Sequence, residues 1–173
     1  MSKQNQMSEI TIDKVVVNIG AGQAGDRLNK AAKVLEMITN HKPVLTTSKR
    51  TVRDFNIRKG LQIGVKVTLR KEDAETFLNK ALDAREYKIQ HYSFDSQGNA
   101  YFGIADYTDF EGMKYDPDIG IFGFDVAVVL KRKGGYRLSR RKVGSAPVSR
   151  RIRIPREDAM KFMESKFKVT VLR

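Results

Sequence analysis

Residues 46–70 join two patterns that constrain the fold of the whole chain. Ile63, Val65, Val67 and Leu69 recur at every second position, which indicates a half-buried β-strand. The residues before them contain Gly60 and show neither a helical nor a strand period, so we expect a loop. The stretch holds seven Lys or Arg residues and one acid. A strand of this kind needs a sheet to bury one face, and it carries a dense positive charge beside it.

A second basic stretch, residues 131–156, holds eleven Lys or Arg residues and no acid, in a chain of net charge +13. Charge confined to two segments favours a polyanion such as RNA, because each neutralised phosphate releases a counterion. The alternative is a solvated basic face. The part from 131 to 154 contains glycines and no apolar period, so we expect it to become ordered on a partner.

The remaining periodicities predict an α+β fold, mainly an antiparallel twisted sheet with helices packed on one face. The other face is left for a ligand. We expect a disordered polar tail over 1–8 and a single domain over 9–173, with basic loops at about 48–62 and 131–154. The expected strands cover 14–19, 44–47, 63–69, 87–94, 100–107, 124–130 and 169–172. The expected helices cover 26–39, a segment from about 72 and a segment after Pro155, and the buried stripe of the second helix should consist of Ala74, Phe77, Leu78, Ala81 and Leu82.

Two local details are also predicted. Asp26 is the expected N-cap of the first helix. The strands at 87–94 and 100–107 should form a hairpin through the turn at 95–99, whose sequence DSQGN is rich in turn-forming residues.

Several classes of protein are disfavoured. The absence of cysteine excludes disulfides and thiolate metal sites, and suits the cytoplasm. His41 and His91 lie far apart without other ligands at suitable spacing, so neither a metal nor a cofactor is expected. No apolar run approaches about 18 residues, and no helix combines a basic face with a broad apolar one. We therefore expect neither a membrane partner nor a small-molecule substrate.

One motif suggests an enzyme. Gly20, Gly22 and Gly25 form a GxGxxG pattern between a strand and a helix, as in nicotinamide-dinucleotide-binding enzymes. The acid that should follow about 20 residues later is missing from residues 46–50, and the later chain lacks repeated strand–helix alternation. The glycines could instead permit a tight turn, or place an RNA phosphate at the helix N-terminus.

Phe55 is an apolar ring in a polar setting. Its neighbours are Arg53, Asp54, Asn56 and Arg58. The ring is therefore either folded back onto the sheet or available to stack on a base.

Specific motifs resemble the family of large-subunit ribosomal protein five. They are VVVNIG at 15–20, GDRLNKAAKVLE at 25–36, KPV at 42–44, SKRTV at 48–52, FNIRKG at 55–60 and KYDPDIGIFG at 114–123. The last is similar to the archaeal and eukaryotic branch. The resemblance covers essentially the whole chain after the tail.

The resemblance implies a structural, non-enzymatic constituent of the cytoplasmic ribosome. It would bind 5S rRNA in the central protuberance through a concave sheet face, beside large-subunit rRNA. A loop at about 51–62 would reach P-site tRNA. Other implied partners are neighbouring ribosomal proteins of the central protuberance and the small-subunit head.

The resemblance also implies site residues. The 5S rRNA contacts would be Asn18, His41, Lys42, Lys49, Arg50, Phe55, Thr68 and Arg70. His41 departs from the family, which has glutamine there, so its imidazole would have to make that contact. The tRNA-facing loop would use Thr51, Arg53, Asn56, Arg58, Lys59 and Gly60. A second basic segment would meet RNA or form a bridge through Lys131, Arg132, Lys133, Arg137, Arg140, Arg141, Lys142, Arg150 and Arg151.

Overall fold

Alternating apolar residues form the strands of this protein, and helices with one apolar stripe pack on them. The structure, a computed structural model, describes residues 6–110, 112–134, 141–147, 149 and 152–172. The strands are β1 (Ile10–Gly20), β2 (Val44–Thr47), β3 (Gln62–Leu69), β4 (Lys88–Gln90), β5 (Ala100–Ile104), β6 (Phe124–Arg132) and β7 (Thr170–Leu172). The helices are α1 (Asp26–Thr39), α2 (Lys71–Asp83) and α3 (Arg156–Phe167).

The main sheet has five strands in the order β2-β3-β1-β6-β5, and every pairing in it is antiparallel. β1 is central because its apolar residues, such as Val15 and Val17, are fully buried on one face. The α+β class with a mainly antiparallel sheet and helices on it is thus confirmed. The strand at 63–69 and the strand at 44–47 are confirmed as β3 and β2.

The helices cover the buried face of this sheet. The predicted stripe of α2, from Ala74 to Leu82, is buried, and α2 contacts β1 while α1 contacts β3. Ala159, Met163 and Phe167 of α3 join the same core. α1 ends at Asn40, which adopts a left-handed conformation. Its N-cap, however, is Gly25 without a side-chain cap, so the expectation that Asp26 caps the helix is wrong.

The hairpin expected between 87–94 and 100–107 does not form as predicted. β4 pairs in parallel with β7 in a separate two-stranded sheet, and only the bridge between Phe94 and Ala100 joins the two segments. The turn itself exists, since the Asp95 amide donates to the Asn99 carbonyl at 2.9 Å. β5 pairs with β6 instead, so the strands before and after the turn belong to different sheets.

Parts of the tail expected over 1–8 and of the basic segment 131–154 have defined structure. Gln6–Ser8 form a 3-10 turn, and the Met7 carbonyl accepts from the Gly134 amide at 3.0 Å. Residues 1–5 lie outside the described residues. Lys131 and Arg132 continue β6, and Ile154 is buried. Lys131 and Arg132 therefore belong to β6 rather than to the expected loop, and the ordering of the rest of 131–154 on a partner stays a prediction.

Candidate nucleic-acid interface

The face of the main sheet opposite the helices carries polar side chains in register. Facing residues of antiparallel strands project to the same side, so the pairings define rows across this open face. One row runs Val44, Lys66, Asn18, Asp125, Gly103, and the next runs Thr68, Val16, Ala127, Tyr101. Asn18 and Thr68, two of the expected contacts, therefore lie on one surface although 50 positions separate them in the sequence.

Three side chains of β3 and its extension make the open face cationic at one end. Lys66, Thr68 and Arg70 are exposed and alternate with the buried residues Val65, Val67 and Leu69. Arg70 keeps an extended backbone, with φ −143° and ψ 159°, so it continues the alternation just before α2 begins. This end of the face thus offers to a phosphate backbone the charges of Lys66 and Arg70, the hydroxyl of Thr68 and, on β1, the amide of Asn18.

A buried carboxylate orients the cations at this end of the face. Asp13 is 8% exposed and lies at the irregularity of β1 between Ile12 and Lys14. Its Oδ1 accepts from Lys131 Nζ at 2.8 Å and lies 3.7 Å from Arg70 Nη1, which also approaches the Asp13 carbonyl at 3.5 Å. Because Arg70 remains about half exposed, its guanidinium keeps donors for a ligand.

The basic loop between β2 and β3 is an arm held by its own hydrogen bonds. The Ser48 amide donates to the Leu61 carbonyl at 2.8 Å, and Val52 and Ile57 exchange backbone hydrogen bonds of 2.8 and 3.0 Å. The Lys59 amide donates to Thr51 Oγ1 at 3.1 Å. The arm therefore extends the β2–β3 pairing. Its cations Lys49, Arg50, Arg53, Arg58 and Lys59 are all exposed.

Phe55 lies at the tip of this arm. The Asn56 amide donates to the Arg53 carbonyl at 3.0 Å, and Asn56 adopts a left-handed φ of 54° that closes the turn. The Phe55 side chain is 74% exposed. Of the two possibilities raised by the sequence, the ring is therefore available for stacking and is not folded back onto the sheet. It lies with the expected tRNA-facing residues, whereas Asn18, Thr68 and Arg70 lie on the sheet.

His41 is held between two helices. Its Nδ1 lies 2.7 Å from the carbonyl oxygen of Thr39 at the end of α1, and its Nε2 lies 3.7 Å from Asp73 in the first turn of α2. Lys42 follows it and is exposed. Both residues lie close in the chain to β2, near the end of the face that carries Arg70. The imidazole has its two nitrogens directed at protein groups.

The second basic segment splits into paired and exposed cations. Lys131 binds Asp13, Arg132 Nη2 lies 3.4 Å from Asp158, and Lys133 Nζ lies 2.5 Å from Glu9. Arg141 and Lys142 are exposed. Arg137, Arg140, Arg150 and Arg151 lie outside the described residues. Of the predicted contacts in this segment that the structure describes, Arg141 and Lys142 are the two outside these three ion pairs.

The GxGxxG loop is not a pyrophosphate site. The amides of Ala21 and Gly22 both donate to the Ile63 carbonyl at 3.0 Å, so the loop uses them to join β3. β1 is antiparallel to both of its neighbours, whereas the dinucleotide motif requires parallel strands. The enzyme alternative is therefore wrong, and the glycines serve a tight strand-to-helix turn.

The described residues show no group of three or more His, Asp or Glu side chains that could hold a metal ion. Within the same residues, the helices are all too short or too polar to cross a membrane.

Sequence reasoning misses several residues of the open face. It identifies Lys66 only as part of the basic stretch, although the alternation of Lys66 with Thr68 and Arg70 places all three on one side. Asp13, Asp125 and Tyr101 carry no such signal, because strands distant in sequence bring them to the face.

Comparisons with known proteins identify the family of this chain. A family model described as "Ribosomal protein L5" matches residues 5–58, and the model of the C-terminus of the same ribosomal family matches residues 62–162. The protein named large ribosomal subunit protein uL5 of Thermoplasma volcanium is 69% identical over 169 residues, covering 98% of this chain and 99% of that protein. The uL5 proteins of Picrophilus torridus and Sulfolobus acidocaldarius are 62% and 46% identical, over 98% of this chain and 96% and 95% of their own lengths. The chain therefore belongs to the ribosomal protein L5 family.

Proposed function

We propose that this chain binds 5S rRNA in the central protuberance of the large ribosomal subunit through the β1–β3 part of its open sheet face. As a member of its family, the chain is a non-enzymatic constituent of the large subunit, and it acts on the ribosome in the cytoplasm. The observation that carries the proposal is the polar surface of Asn18, Lys66, Thr68 and Arg70, set opposite the helix-covered face.

The chemistry of this surface suits a duplex RNA backbone. Lys66 and Arg70 supply charge, and Asn18 and Thr68 supply hydrogen bonds to phosphate or ribose hydroxyl groups. Strands hold the backbone of these groups at fixed spacing, so binding costs little backbone freedom, and the main entropic cost is the side-chain freedom of Lys66 and Arg70. His41 and Lys42 precede β2, and Lys49 and Arg50 follow it at the base of the arm; all four extend the proposed contact.

We assign the arm a second partner, the P-site tRNA. Arg53, Arg58 and Lys59 are exposed on an arm that projects beyond the sheet, and Thr51, Asn56 and Gly60 shape its turns. Phe55 at the tip can stack on an unpaired base of either RNA. Exposed Arg141 and Lys142 are the proposed contacts to large-subunit rRNA or to the small-subunit head.

The 5S rRNA proposal is tested by equilibrium binding at two salt concentrations. Arg70→Ala and Lys66→Ala should each weaken binding and lower the salt slope by about one. Lys80→Ala is the matched control, since Lys80 is exposed on α2 in the helix layer and its loss removes the same charge. Equal affinity of the wild type for 5S rRNA and an unrelated duplex, or equal effects of all three variants, would contradict the proposed surface.

The tRNA contact is tested by tethered cleavage on the ribosome. Because the chain has no cysteine, Arg58→Cys creates a unique attachment point for a hydroxyl-radical probe on the arm. Cleavage of P-site tRNA is expected from this position and not from Lys80→Cys. Cleavage confined to ribosomal RNA would place the arm elsewhere.

A further inference from the structure

A depression lies on the β5–β6 half of the open face, beside the surface proposed above. It has a volume of about 490 Å³, within the range of about 300–1,000 Å³ of small-ligand sites. Its floor contains Gly103, which has no side chain, and Ala127, which has only a methyl group, so the sheet is uncovered there. Its walls and rim include Asn18, Arg85, Gln90, Tyr92, Tyr101 and Asp125.

Two aromatic rings border this depression and are open to solvent. Tyr101 is 46% exposed and faces Ala127 across the β5–β6 pairing. Tyr92 is 76% exposed in the short turn after β4. That turn is fixed by a hydrogen bond from the Arg156 guanidinium to the His91 carbonyl. Exposed tyrosines on a rigid support provide stacking surfaces at low entropic cost.

The charge along the row changes sign at the depression. Lys66 on β3 is followed by neutral Asn18 on β1 and by the carboxylate of Asp125 on β6. Asp125 Oδ1 lies over Gly103, 3.4 Å from where a Cβ would stand. A carboxylate here repels a phosphate backbone but accepts hydrogen bonds from the edge of a base. The two halves of the face therefore suit different parts of an RNA.

We infer that this depression binds one unpaired nucleobase of the RNA held on the β1–β3 half of the face, an inference that rests on the proposed function. Tyr101 and Tyr92 stack on the base, Asp125 accepts from its edge, and Arg85 on the rim meets its phosphate. Only a base displaced from a helix exposes a face for stacking. Asn18 borders both halves, so one RNA can occupy them together.

The carboxylate also restricts how the base is oriented. Asp125 can only accept hydrogen bonds when ionised, so the edge turned toward it must carry a donor, either an amino group of cytosine, adenine or guanine or the ring N–H of uracil or guanine. We therefore assign to the depression a base that directs a donor edge at Asp125. Gln90 can either donate or accept and sets no such restriction.

The test measures 5S rRNA binding by the full chain at several salt concentrations. Tyr101→Leu and Tyr92→Leu should each weaken binding by about 5- to 150-fold, with an unchanged salt slope because neither ring is charged. Tyr101→Phe keeps the aromatic face and should bind within about twofold of the wild type. Circular dichroism and thermal melting confirm that each variant is folded; Tyr92→Leu, on an exposed turn, provides the result if Tyr101→Leu is unstable.

Chemical probing of the bound RNA identifies the base. One unpaired base should be protected at its donor edge in the wild-type complex and in Tyr101→Phe, and should become reactive in Tyr101→Leu and in Asp125→Asn. If the wild type does not bind 5S rRNA, the proposed function fails. If the wild type binds and both leucine variants bind equally well, the base site is refuted while the proposed function stands. If the two leucine variants bind 5S rRNA normally but are lost from assembled ribosomes, the depression is a protein-docking surface, and the base site is again refuted.

Discussion

Replacing Phe55 with alanine should separate RNA recognition from folding. The ring is 74% exposed, so only about a quarter of it is buried. Full burial of such a side chain contributes about 1.5–3 kcal/mol, which sets the expected loss in the free energy of unfolding at about 0.5 kcal/mol. The arm should keep its shape, because backbone hydrogen bonds between Val52 and Ile57 hold it and the Phe55 side chain does not.

The effect of Phe55→Ala on RNA binding should be larger. Stacking on one base contributes about 1–3 kcal/mol, which corresponds to about 5- to 150-fold in affinity. The salt slope should stay constant because the ring is neutral. Filter binding of the RNA partner and denaturant unfolding measure the two quantities on the same preparation.

Two further variants of Phe55 make the result specific. Phe55→Tyr keeps the aromatic face and should retain affinity, whereas Phe55→Leu keeps apolar volume and should lose it. Unchanged affinity in Phe55→Ala for both 5S rRNA and tRNA-bearing ribosomes would refute a stacking role. A loss of stability above about 2 kcal/mol would refute the reasoning from exposure.

Three other outcomes follow from particular backbone and side-chain contacts. Gly98→Ala should destabilise the fold by about 1–3 kcal/mol more than Gly22→Ala, as measured by denaturant unfolding of the two variants. Both glycines have φ near 75°, but only at Gly98 would a Cβ lie 2.8 Å from the Ile154 carbonyl oxygen. Asn56→Gly should leave stability unchanged or raise it, while Asn56→Ala should lower it by about 1 kcal/mol in thermal melts, because φ is 54°. Burial raises the pKa of Asp95, but hydrogen bonds from side chains and amides of its own turn outweigh burial, so the pKa is lowered. The ionised Asp95 therefore stabilises the fold above the ordinary aspartate pKa, and this stabilisation is lost as the pH falls through the lowered pKa. Asp95→Asn should therefore be less stable than the wild type at neutral pH and should approach it in acid.

The spacing of apolar residues along the chain predicts the elements that bury one face or one stripe. The bounds of α1 and β2 agree with the expected 26–39 and 44–47, and the buried stripe of α2 is the predicted one. These predictions succeed because amphipathic periodicity reports which side of an element is buried. The same reasoning predicts a loop at about 48–62 but not its internal order, because that order comes from backbone and Thr51 hydrogen bonds, which leave no apolar period.

Strand pairing cannot be predicted in the same way. The segment 87–94 has the pattern of half a hairpin, yet β4 pairs with β7 at the far end of the chain. A turn-forming sequence indicates that the chain reverses, but it does not select the strand that supplies the hydrogen bonds. That choice depends on which edges the rest of the core leaves open.

The sequence by itself determined the class of fold, the family and the polyanionic nature of the partner, because periodicity, motifs and net charge are properties of residue order and composition. Only the tertiary structure decided which cations can meet that partner. Lys131, Arg132 and Lys133 are equivalent to Lys66 in the sequence, but carboxylates from β1, α3 and the N-terminal segment pair with them. Arg70 shares Asp13 with Lys131, yet its side chain stays about half exposed. Those carboxylates lie more than 20 positions away in the chain, and opposite charges interact through space rather than along the sequence.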